Sequence, residues 1–90
     1  MSITRQIVGY AIQSGSSDIH LEEEAPISIR VNSDIRILEH RLKSSEMDQI
    51  LDEILGPEKK AAFEHTGDLD TSICLEGLSR IRINAYMANE

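Results

Sequence analysis

The stretch Ile27-Ser28-Ile29-Arg30-Val31-Asn32-Ser33-Asp34-Ile35-Arg36-Ile37-Leu38 decides the fold, because its apolar residues alternate in two runs about a polar Asn-Ser-Asp centre. Successive side chains of a strand point to opposite faces, so Ile27, Ile29 and Val31 share one face, Ile35 and Ile37 share another, and the whole reads as a β-hairpin. Loop length then sets the relation between the two runs. A two-residue loop would put Val31 and Asp34 on one face and turn Ile35 and Ile37 to the other. A three-residue loop, residues 32–34 with a bulge, keeps every apolar side chain inward and is the expected form.

The same alternation extends to both sides. Before the hairpin, Asp18-Ile19-His20-Leu21-Glu22 reads as a short half-buried strand. After it come Leu69, Ile73 and Leu75, then Ile81, Ile83 and Ala85, joined by a turn expected at Glu76 to Leu78. Between and before these strands the spacing changes to that of helices. Ile3, Ile7, Val8, Ala11 and Ile12 gather on one side of a first helix that Gly15 terminates. Met47, Ile50, Leu51, Ile54 and Leu55 do the same for a second, started by Ser44-Ser45 with Asp48 as a weak capping-box partner and ended at Gly56. Pro57 suits the first turn of a third helix, whose apolar side is Ala61, Ala62 and Phe63 and which stops at Gly67. The expected fold class is α+β, in the order α-β-β-β-α-α-β-β, with an antiparallel sheet and helices packed on one face. No internal repeat, linker or low-complexity tract divides residues 1–90, so one domain is expected.

Composition bounds what such a domain can do. The chain has 90 residues, 40% apolar and 28% charged, which suits one core between two layers and excludes a large enzyme. Nine Lys+Arg stand against 16 Asp+Glu, a formal charge of -7, and only 3% of residues are aromatic. Attraction to phosphate backbones and stacking on bases are both disfavoured, so nucleic acid is not an expected partner. The longest nearly apolar stretch, Ile7 to Ile12, is far short of a membrane span, and no secretory signal is evident. With Cys74 the single cysteine, no intrachain disulfide can form, and a cytoplasmic location without membrane insertion is expected.

If the isoleucines point inward, the opposite parity carries Asp18, His20, Arg30, Arg36, Asp70, Ser72, Cys74, Arg80, Arg82 and Asn84 outward. Four arginines, 30, 36, 80 and 82, then share one face, and the three-residue register puts Arg30 directly across from Arg36. Like charges so placed are destabilising by about 0.2–1 kcal/mol, so an anionic group should lie nearby. Either Asp18, Glu22 or Asp70 neutralises a solvated face, or the face receives an acidic protein surface or a phosphate. Both remain open on pattern alone.

Other chemistries find little support. His20 and Glu22 offer two metal ligands with no third at ligand spacing, since His40 and His65 lie in other elements. Cys74 has no base beside it and reads as a half-buried strand residue, and the tyrosines read as packing residues. Gly9, Gly15, Gly56, Gly67 and Gly77 never precede a lysine, so the chain has no phosphate-cradling P-loop and no catalytic residue is assigned.

Three stretches in order carry a family resemblance. Residues 17–22, SDIHLE, resemble an "ASDLHLE" signature; residues 29–36, IRVNSDIR, resemble "IRVDGDVR"; and the run from Gly67-Asp68-Leu69-Asp70 to Gly77-Leu78-Ser79-Arg80-Ile81-Arg82-Ile83-Asn84-Ala85-Tyr86 resembles "ETDFSFEVPGVARFRVNAF". Together they are similar to the amino-terminal domain of the PilT-type pilus-retraction ATPases, within the type II and type IV secretion ATPase superfamily. The resemblance implies a PAS-like domain that precedes a RecA-like motor domain, here absent, in a homo-hexamer peripheral to the inner membrane of a bacterium. ATP and Mg would belong to the parent protein, and this chain would hold no cofactor or metal of its own. It also implies packing against the motor domain of the same or a neighbouring subunit and, indirectly, service to a pilus or secretion platform. On that basis Asp18, His20, Arg30, Arg36, Arg80 and Arg82 become candidate interface residues, with the arginines approaching a triphosphate. Pilus-assembly and type II relatives carry an arginine two positions before the match to Arg30, where Ser28 stands here, which favours the retraction branch. Asn32-Ser33 replaces Asp-Gly in the hairpin, and Ser33→Gly is expected to stabilise the domain by about 0.5–1 kcal/mol. The alternative function is a free-standing PAS-like sensor or adaptor holding a small ligand.

Overall fold

The computed structural model describes residues 2–74 and 80–87. Its elements follow the expected order: α1 (Ile3–Gln13), β1 (Ser16–Glu22), β2 (Pro26–Val31), β3 (Asp34–Arg41), α2 (Ser44–Leu55), α3 (Pro57–Thr66), β4 (Asp68–Cys74) and β5 (Arg80–Tyr86). The expected turn at Glu76 to Leu78 lies outside the described residues. The strands form one sheet in the order β3-β2-β1-β5-β4.

The sheet is mixed rather than wholly antiparallel. Hairpins make β1–β2, β2–β3 and β4–β5 antiparallel, but β1 and β5 run parallel at its centre. Parallel neighbours need a long crossover, and the α2–α3 pair supplies it. These helices carry the chain over one face from the β3 edge to the β4 edge, and the β4–β5 hairpin then returns β5 alongside β1.

The core lies between that helix layer and the inward residues of the three central strands. Ile19, Leu21, Ile27, Ile29, Ile81 and Ile83 are almost wholly buried against Val8, Ala11, Ile50, Leu51 and Phe63 of the helices. Each isoleucine contributes about 1.5–3 kcal/mol relative to exposure. Alternation along β5 is clean, with Ile81, Ile83 and Ala85 buried and Arg80, Arg82 and Tyr86 exposed.

The hairpin departs from expectation. Val31 pairs directly with Asp34, so the loop is the two residues Asn32 and Ser33, and Ile35 and Ile37 are thrown to the outer face with Arg30 and Ser28. They are 50% and 72% exposed. Asn32, not Ser33, takes the positive φ, at 58°, a conformation that asparagine tolerates better than most residues. Turn geometry prevails over hydrophobic pattern here because a tight two-residue turn matches the strand twist. The edge strand also had little to gain from the other phase. Its inward side is covered by α1 only near Leu38, which is half-buried, while Arg36 on that side remains exposed.

Local signals explain the helix ends. The Ser2 hydroxyl accepts the Arg5 N–H at 3.2 Å to start α1, Pro57 opens α3, and Gly67, with φ 84°, closes it. The start of α2 differs from the expected serine cap: Lys43 occupies the N-cap position. Glu46 Oε1 accepts the Lys43 N–H at 3.0 Å, and Glu24 Oε1 accepts the Ser44 N–H and hydroxyl at 3.3 and 3.1 Å. Two carboxylates thus satisfy orphan donors at the positive end of the helix dipole.

Candidate functional site

Alternation gives the sheet a second face that no helix covers among the described residues. Its side chains form cross-strand rows that follow from the register. One row reads Ile35, Arg30, Asp18, Arg82 and Ser72; the next reads Ile37, Ser28, His20, Asn84 and Asp70. Beyond these, Glu22, Tyr86 and Asp68 are neighbours on one side and Arg80 and Cys74 on the other.

Asp18 is the hub. It sits on the central strand between Arg30 on β2 and Arg82 on β5, and is only 8% exposed although it faces outward. A one-residue bulge at Ser17 prepares this position: the register shifts between Ser16 and Asp18, turning Ser16 inward and Asp18 outward. Ser16 Oγ accepts the Asp18 N–H at 3.3 Å and donates to the Asp18 carbonyl at 2.8 Å, while Ser17 Oγ donates to Asp18 Oδ2 at 2.7 Å. The Ser17 hydroxyl therefore helps to orient the Asp18 carboxylate.

The arginines are not equivalent. Arg82 bridges two carboxylates, with Nε 3.6 Å from Asp18 Oδ1 and a terminal nitrogen 3.6 Å from Asp70 Oδ2. Its side chain is 61% exposed, so these loose pairs contribute little to stability. Arg30 and Arg80 have no carboxylate within ion-pair distance among the described residues. Both remain exposed cations on an uncovered surface.

Five of the six candidate residues, Asp18, His20, Arg30, Arg80 and Arg82, are thus brought to one face. Arg36 is not: it pairs with Ile29 and shares the helix side of the sheet, so the expected Arg30–Arg36 opposition does not occur. The one-residue change in loop length accounts for this. His20 lies half-buried between Ser28 and Asn84. Cys74 is exposed rather than half-buried, and Tyr10 and Tyr86, expected to pack, are 44% and 46% exposed. The exposed isoleucines were the feature missed, and the signal for them was the even count of two in a tight Asn-Ser turn.

Shifted titrations lie on the helix layer instead. Hydrogen bonds that the half-buried Lys60 ammonium donates to Asp48 and then Asp52, at 2.6 and 2.8 Å, hold it well above the ordinary lysine range. The Lys43 N–H, followed by His40, holds the Glu46 carboxyl below its usual range. Among the described residues no three His, Cys, Asp or Glu side chains gather as a metal site, and no helix is long and apolar enough to cross a membrane. Between α1 and the sheet, the core leaves a cavity of only about 10 Å³, lined by Thr4, Ile7, Val8, Ile19, Leu21, Ile50 and Ile83. Pockets that hold small ligands are on the order of 300–1,000 Å³.

Comparison with known proteins gives this five-stranded α+β domain its relatives. No protein-family profile matches the chain. Over 90 residues it is 29% identical to the type IV pilus retraction ATPase PilT of Pseudomonas aeruginosa, a match covering 99% of this chain and 26% of that protein. A crystal structure of the pilus retraction motor PilT with bound ADP superposes with a TM-score of 0.67 at 30% identity, covering 96% of this chain and 25% of that one. The chain is therefore similar to one part of the pilus retraction ATPase PilT. It fits the amino-terminal domain of a PilT-type ATPase, and spans about a quarter of the length of the relatives it matches.

Proposed function

We propose that this chain is the non-catalytic amino-terminal domain of a hexameric pilus-retraction ATPase, and that its open sheet face packs on a RecA-like motor domain of the same or a neighbouring subunit. The observation that carries the reading is the placement of Arg30 and Arg82 on either side of Asp18, with Arg80 on the same face, which no helix covers among the described residues. Planar guanidinium groups on such a surface bind carboxylate or phosphate in bidentate fashion. In the parent protein, ATP and Mg belong to the motor domain, and this face moves with respect to it as nucleotide is bound and hydrolysed. The parent works in the cytoplasm, against the inner-membrane platform of a pilus. Domain 1–90 supplies contacts and no chemical step.

The reading is tested in a protein in which this chain is joined to its motor domain. Arg30→Glu and Arg82→Glu are each expected to lower hexamer formation and ATPase activity at least about tenfold, the scale of one lost charge-assisted contact. Arg36→Glu, on the other side of the sheet, is expected to leave both within about twofold. Equal activity in all three variants would return the face to ordinary solvated surface.

A further inference from the structure

The two edges of the sheet are built differently. The β4 edge turns Asp68 and Asp70 to the open face and carries no basic residue, so two copies meeting along it repel. The β3 edge alternates in sign through Asp34, Arg36, Glu39 and Arg41 and has no net charge in a chain of formal charge -7. It is also apolar on both sides. Ile35 and Ile37 are exposed on the open face, and on the helix side a groove of about 210 Å³, lined by Ile3, Ile7, Tyr10 and Leu38 among others, runs between β3 and α1.

The backbone of this edge is open in the same place. The two-residue loop closes on Val31 and Asp34, which exchange both their hydrogen bonds. Alternation then makes Arg30–Ile35 and Ser28–Ile37 non-hydrogen-bonded pairs. The N–H and C=O of Ile35 and Ile37 therefore point away from β2, toward a side where, among the described residues, the sheet has no further strand. The register shift against β2 comes only after Ile37, so this part of the edge is regular.

We propose that β3 is a docking edge for a second copy of this chain, the two β3 strands pairing antiparallel about a twofold axis perpendicular to the sheet. Such an axis keeps both open faces on one side, so open-face residues oppose each other. With Ile37 opposite its own copy, Ile35 lies across from Glu39 and Asp34 across from His40. Ile35 and Ile37 of both copies then form one apolar strip, and the outward N–H and C=O groups of Ile37 pair with their counterparts. Since each copy carries -7 overall, salt strengthens the pairing by screening the repulsion between them. The inference uses only the β3 edge and stands whether or not the open face meets a motor domain.

Sedimentation velocity of the 90-residue chain, from about 10 µM to about 1 mM at low and moderate salt, tests it. The expected result is a concentration-dependent rise from 10.1 kDa toward twice that mass, stronger at moderate salt. Ile37→Glu is expected to weaken dimerisation at least about tenfold with an unchanged urea midpoint, and Asn84→Glu, in the middle of the open face, to leave it unchanged. In a Cys74→Ser background, Ile37→Cys is expected to give a disulfide-linked dimer on mild oxidation, because opposed residues about 5.5 Å apart between Cα atoms are within disulfide reach. Asn84→Cys in the same background is expected to give none. A monomer at the highest concentration, a dimer indifferent to Ile37→Glu, or cross-linking through Asn84→Cys instead would each overturn the proposal.

Discussion

The covered and open faces of the sheet are made from alternate residues of the same five strands, yet different forces hold them. On the covered face, Ile19, Ile29, Ile81 and Ile83 are fixed by the helices that pack on them. On the open face, side-chain position is fixed by register and by short polar contacts such as Ser17 to Asp18. Burial makes the first face costly to change. Substitution on the second is expected to cost the isolated domain far less.

The sharpest way to break this contrast is a pair of truncations on neighbouring strands. Ile29→Ala, at a residue with no exposure, is expected to lower stability by about 2–5 kcal/mol, whereas Ile37→Ala, 72% exposed, is expected to stay within about 0.5 kcal/mol of the parent. Urea unfolding at a concentration where the chain is monomeric measures both. Comparable losses would mean that Ile37 is covered and that the hairpin has the other phase.

A smaller effect probes the turn that assigns residues to faces. Asn32, at φ 58°, accommodates the left-handed conformation, so Asn32→Val is expected to cost about 1–2 kcal/mol. Ser33→Gly, expected from pattern to stabilise, should instead destabilise by about 0.5–1 kcal/mol, because Ser33 has no positive φ to relieve and glycine only loosens the unfolded chain. A raised urea midpoint for Ser33→Gly would restore the three-residue loop.

The smallest effect belongs to the helix layer and its dependence on pH. Because the Lys43 N–H and His40 hold the folded Glu46 carboxyl below its usual range, the stability it adds is present above the ordinary carboxylate pKa. It is lost as pH falls through the lowered folded value. Glu46→Gln is therefore expected to lower the urea midpoint slightly near pH 7, with the difference from the parent shrinking as pH falls through the lowered folded value. A difference that persisted or grew in acid would remove Glu46 as a cap of α2.

Much of this was legible from residue order. Strand and helix identities followed from period-two and helical spacing, and Pro57 and Gly67 marked α3 because each has one backbone preference that local geometry must satisfy. The α2 cap was not legible in full, since Glu24 reaches it from a distant turn. The candidate face was legible for Asp18, His20, Arg30, Arg80 and Arg82, whose strands are tied to the core by buried neighbours. It failed for Arg36 because β3 is an edge strand with weak demand for burial, and one residue of loop length then decides which face every side chain takes.

The linear order of amino acids alone determined the element types, their sequence and the inward set of the central strands, because these depend on periodicity and local backbone preference. Only the tertiary structure decided that β1 and β5 run parallel, that Asp18 sits between two arginines, and that Ile35 and Ile37 face outward. Those outcomes depend on which distant segments become neighbours and on competition between a tight turn and a hydrophobic pattern, and neither is written in any short stretch of chain.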